Sequence, residues 1–72
     1  MGVLLATDYA VKELPAYFPY IVANEDEAKR LINQVIHKSS EEITNFFLEL
    51  FGMSDIVFDF IAKFNDLLQK EE

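Results

Sequence analysis

The stretch Asn24–Asp55, "NEDEAKRLINQVIHKSSEEITNFFLELFGMSD", decides the fold because it spells out a complete helix twice and begins a third. Asn24 is a good N-cap, and Glu27, three residues on, can reach back to complete a capping box. Ala28, Leu31, Ile32, Val35 and Ile36 then fall at i, i+3, i+4, i+7 and i+8, which is one apolar stripe. Glu25 with Lys29 and Asp26 with Arg30 are i,i+4 pairs in the favourable orientation. His37 and Lys38 stand where the helix dipole favours positive charge. The spacing predicts a helix over about 25–37. Ser39 and Glu42 form a second capping box, and Ile43, Phe46, Phe47, Leu50 and Phe51 repeat the stripe. Gly52 offers the left-handed position that ends helices, so a second helix is expected over about 40–51.

Towards the C-terminus, Ser54 or Asp55 can cap a third helix over about 55–69. Ile56, Val57, Phe60, Ile61, Phe64, Leu67 and Leu68 share one face of it, with Asp59–Lys63 and Asp66–Lys70 as ion-pair candidates opposite. Every phenylalanine except Phe18 falls between Phe46 and Phe64, and most of them lie on the stripes. Phe58 does not: at 100° per residue it sits about 130° from the centre of its helix's apolar arc. Connections of two to four residues force neighbouring helices into hairpins.

The N-terminal third reads less cleanly. Asp8–Ala23, "DYAVKELPAYFPYIVA", holds all three tyrosines and both prolines. Thr7 can cap a short helix that ends before Pro15, since the residue before a proline is pushed out of the helical region. Pro19 argues against a continuous helix through the aromatic run. The expected fold is therefore all-α: three amphipathic helices, a short N-terminal helix, and an aromatic and proline segment packed across them. One domain is expected over 1–72, divided into an N-terminal arm (1–23), a three-helix core (24–69) and a frayed tail (70–72).

Composition bounds the function. The chain has 72 residues, 51% of them hydrophobic and 14% aromatic, with thirteen acids against six bases for a net charge of −7. A chain this short has little core, and with no cysteine it has no disulfide to reinforce it. One histidine and no thiolates fall short of the ligand set that structural zinc uses. The acidic balance disfavours direct contact with nucleic acid or anionic lipid. No apolar run approaches the roughly 18–20 residues of a membrane span, and "MGVLLATDYAVKEL" lacks the basic start of a secretory signal. The expectation is a cytoplasmic protein without cofactor or metal.

Catalytic arrangements are equally sparse. His37 could meet Glu41 or Glu42 across the tight turn, but carboxylates in a first helical turn are explained by the dipole. A metal ion needs three or four convergent ligands. Ser39 and Ser40 are accounted for as caps, and two glycines make no phosphate loop. No enzyme is expected.

Apolar side chains beyond the stripes are more telling than a core of this size can absorb. Tyr17, Phe18, Tyr20, Ile21, Met53 and Phe58 are expected to contribute to a contact surface, because contiguous exposed aromatics and methionine mark interfaces. The function expected is a protein–protein interaction module, such as an adaptor, inhibitor or assembly factor, that self-associates or binds a protein partner. The alternative is an acidic mimic of nucleic acid, displaying Glu41, Glu42, Glu49 and Asp55 to a basic cleft. A carrier of a small apolar ligand is a third and weaker reading.

Overall fold

Four helices follow one another along the chain: α1 (Gly2–Tyr17), α2 (Glu25–Val35), α3 (Ser40–Phe51) and α4 (Asp55–Gln69). The computed structural model describes residues 2–70; the tail expected at 70–72 thus falls mainly outside the described residues. The all-α bundle is the fold class that the periodicity predicts.

Local chemistry sets the bounds of the last three helices. Asn24 lies in extended backbone and its Oδ1 accepts from the Glu27 amide at 3.0 Å. The Glu27 carboxylate accepts from the amide of Ala23 at 3.1 Å, so it reaches one residue beyond the cap. α2 stops at Val35, two residues short of the expected end, and the Lys38 amide donates to the Val35 carbonyl to turn the chain. At α3 the reciprocal capping box is complete: Ser39 Oγ accepts from the Glu42 amide and Glu42 Oε1 accepts from the Ser39 amide, both at 3.2 Å. Gly52 closes α3 with φ 94° and ψ 173°, a positive-φ conformation outside the left-handed helical well that only glycine adopts readily. Ser54 caps α4 by accepting from the Val57 amide.

The N-terminal helix corrects the expectation. α1 is not a short helix ending before Pro15; it begins at Gly2, passes Thr7 without a cap and runs through Pro15 to Tyr17. Proline deprives the helix of one hydrogen bond, but here it stands in the last turn, and the Phe18 amide resumes the ladder to the Leu14 carbonyl at 2.8 Å. The aromatic and proline segment contracts to a tight turn. Phe18 O accepts from the Ile21 and Val22 amides, and Pro19 occupies the second turn position, which its fixed φ suits.

Packing explains why tertiary structure overrides the proline. Ala6, Ala10, Val11 and Leu14 of α1 are buried with Val22, joining Ala28, Ile32 and Val35 of α2, Ile43 and Phe47 of α3, and Val57, Phe60, Ile61 and Phe64 of α4. The two alanines let backbones approach closely, and α1 packs extensively on both α2 and α4. A helix that supplies this much core is held by burial, at about 25 cal/mol per Å² of apolar surface, rather than by propensity. The radius of gyration is 11.0 Å, the value of about 11 Å for a close-packed chain of this length. No described segment trails away as an arm.

Phe47 is the hub of the interior. Its ring meets Phe60 and Phe64 edge-on at 5.2 and 5.5 Å, with Phe46 and Phe51 alongside. Two stripe residues do not reach the core: Leu50, near the C-terminal end of α3, and Ile56, at the edge of its stripe in the first turn of α4, are both exposed. Among the described residues, no helix is long and apolar enough to cross a membrane.

Candidate functional site

The α1–α2 and α3–α4 connections lie at the same end of the bundle. α3 and α4 run antiparallel, as the Asn65 Nδ2 donation to Thr44 Oγ1 and the Gln69 Nε2 donation to Ser40 Oγ show. Phe18, in the first connection, packs on Phe51, just before the second, with ring centroids 4.5 Å apart. That contact draws the two loops together. Most of the large apolar side chains left exposed belong to this end: Tyr17, Tyr20, Ile21, Leu50, Met53, Ile56 and Phe58. Val3, Leu4 and Leu5, in the first turns of α1, form a separate exposed group.

Tyr20 is fully exposed and Met53 is 78% exposed, both in loops; Tyr17 and Ile21, in and beside the first loop, are also exposed. Phe58 is 48% exposed, and the register that pairs Thr44 with Asn65 sets it opposite Phe51. Phe18 is half-buried, with Tyr17 on one side and Phe51 on the other. Its ring serves to clamp the loops. Leu50 and Ile56 belong with this surface although the periodicity assigns them to the core.

The acidic residues are dispersed. Glu41 and Glu42 occupy the first turn of α3, and the Glu42 carboxylate is engaged in its cap. Glu49 lies about 12 Å further along the helix axis, and Asp55 opens α4. All four are exposed. Among the described residues the one ion pair is Asp8–Lys12, at 3.6 Å and well exposed. The pairs expected at Glu25–Lys29, Asp26–Arg30, Asp59–Lys63 and Asp66–Lys70 are not closed, in keeping with the small gain an exposed pair offers over hydration. His37 is exposed in the α2–α3 turn.

A cleft of about 240 Å³ runs between α1 and α4 beside the loop end. Tyr9, Glu13 and Tyr17 line it from α1, and Ile56, Asp59, Phe60 and Lys63 from α4. Tyr9 stacks on Phe60 at 5.6 Å with the rings 14° from parallel. Burial foremost, then the negative charge of Glu13 and Asp59 and the neighbouring Tyr17, holds the Tyr9 phenol above its usual pKa of 10.0. The spacing Tyr9, Glu13, Tyr17 is one face of a helix, but it is legible as such only if the helix continues through Pro15. No protein-family model, curated protein or solved structure matches the chain.

Proposed function

We propose that this chain is a non-enzymatic, cytoplasmic protein-interaction module that docks through the loop end of the bundle, with a second copy or with a protein partner. The observation that carries the reading is the gathering of Tyr17, Tyr20, Ile21, Met53, Ile56 and Phe58 at one end, exposed. Apolar surface of this kind gains free energy when covered, and aromatic side chains and methionine are enriched at interface centres. Self-association is the first form to test because it needs no second component, although the net charge of −7 opposes it and a basic-rimmed partner would not meet that opposition.

Met53→Asp combined with Phe58→Asp leaves the core intact, since both side chains are solvent-exposed. Sedimentation equilibrium of the wild-type and double-variant chains, with affinity capture at low salt and at about 0.5 M salt, tests the proposal. Association, or capture of a defined partner, that survives the salt and is lost in the double variant is the expected result. A wild-type chain that stays monomeric at high micromolar concentration, with any captured partner retained by the double variant, overturns it. Capture lost at high salt and indifferent to the double variant would favour the acidic-mimic reading, for which Glu41, Glu49 and Asp55 offer exposed carboxylates.

A further inference from the structure

The α1–α4 cleft combines three features that select one class of ligand. Its wall is aromatic, with the stacked Tyr9 and Phe60 rings inside and Tyr17 at 56% exposure beside them. Glu13 and Asp59 enter the same cleft from opposite helices, and among the described residues neither carboxylate is in an ion pair, even though Lys63 lines the cleft too. The volume of about 240 Å³ falls below the about 300–1,000 Å³ of pockets that enclose drug-sized molecules. The cleft suits a single side-chain-sized group.

The geometry points to a guanidinium-binding site: a planar cation lying against the Tyr9 and Tyr17 rings, with its N–H groups donating to the Glu13 and Asp59 carboxylates. Aromatic faces attract cations through the ring quadrupole, and guanidinium also stacks as a flat, weakly hydrated ion. Its fixed fork of donors can serve two carboxylates at once, which a compact ammonium does less well. With two acids and Lys63 the cleft carries one net negative charge, which an entering cation balances. A neutral ligand of the same shape would cover the carboxylates without pairing them, which costs free energy. After burial, the larger cause, the charges of Glu13 and Asp59 add to the upward push on the Tyr9 phenol. The site shares Tyr17 and Ile56 with the loop-end surface but goes beyond the docking role proposed for that surface and does not require it.

The test titrates the isolated chain with Nα-acetyl-arginine amide, followed by two-dimensional amide NMR. The neutral isostere Nα-acetyl-citrulline amide and Nα-acetyl-lysine amide are the parallel arms. Saturable shifts centred on Tyr9, Glu13, Asp59 and Lys63, with the citrulline amide at least about tenfold weaker (about 1.4 kcal/mol) and the lysine amide weaker than arginine, are expected. Glu13→Gln with Asp59→Asn should weaken arginine binding by a similar factor at unchanged far-ultraviolet ellipticity. A short peptide, acetyl-Leu-Arg-Leu-Leu-amide, separates the sources: much tighter binding than the free amide assigns a protein-borne arginine, and equal binding assigns a free guanidinium compound. Citrulline binding equal to arginine, shifts absent from the cleft, or full binding by the double variant overturns the inference. Met53→Asp with Phe58→Asp should leave arginine binding unchanged, so failure of the docking reading and failure of this one are distinguishable.

Discussion

Pro15 stands in the last turn of α1, and its nitrogen carries no hydrogen for the Val11 carbonyl four residues back. A proline deep inside a helix costs about 3 kcal/mol relative to alanine. Here the penalty is smaller, because the Phe18 amide donates to Leu14 O at 2.8 Å and only one rung is missing. Restoring that rung contributes about 0.5–1.5 kcal/mol, and relief of the ring's clash with the preceding turn adds to it. Against this, alanine returns to the unfolded chain the freedom that proline removes, worth about 0.4–1 kcal/mol. The rung and the entropy nearly cancel, so relief of the clash decides the sign, and the balance for Pro15→Ala is a gain of up to about 1 kcal/mol. At about 4–8 °C per kcal/mol for a domain of this size, Tm should rise by up to about 8 °C. Far-ultraviolet ellipticity followed through a thermal melt reads this directly. Pro19→Ala is the opposed control: Pro19 sits in the turn closed by the Ile21 amide on Phe18 O at 3.0 Å, so its loss should cost about 0.4–1 kcal/mol. If α1 ended before Pro15, both substitutions would destabilise. A fall in Tm for Pro15→Ala refutes the continuous helix.

Phe47→Ala empties the centre of the aromatic cluster and should cost about 3–5 kcal/mol, a large fraction of the about 4–11 kcal/mol expected for a chain this long. Urea titration should find the midpoint of the alanine variant strongly lowered and that of Phe47→Leu much less so; a loss below about 1 kcal/mol for alanine would contradict the packing. Gly52→Ala should cost about 1–3 kcal/mol although an added Cβ meets nothing within 4 Å, because the penalty comes from the backbone at φ 94°. Gly52→Asn should be no better, since asparagine eases the left-handed helical well and not this conformation; rescue by asparagine would count against the geometry. For Tyr9, a raised folded-state pKa means the unfolded chain loses its phenolic proton first. That part of the stability is therefore present below about pH 10 and is lost as pH rises through the folded value. Tyr9→Phe should flatten the wild-type decline in alkaline urea titrations, and parallel declines in the two proteins would argue against a buried, acid-flanked phenol.

Caps and periodicity are local properties, and they located α2, α3 and α4 to within two residues: Asn24, Ser39, Ser54 and Gly52 each satisfy or redirect backbone groups a few residues away. The sequence by itself therefore determined that the chain is helical, where most of its helices start and stop, and that Phe47, Phe60 and Phe64 form its interior. Pro15 marks the limit of that reasoning. A proline's cost is local, but the burial of Ala6, Ala10, Val11 and Leu14 that outweighs it depends on surfaces contributed by α2 and α4. The same dependence left Leu50 and Ile56 exposed despite their stripe positions, since a periodic face is buried only where a neighbour covers it. Tertiary structure alone set Phe18 against Phe51, brought the two loops to one end, and placed Tyr9 and Glu13 across from Asp59 and Lys63. Those juxtapositions join residues more than thirty positions apart, a separation over which short-range preference carries no information and packing of the whole chain decides.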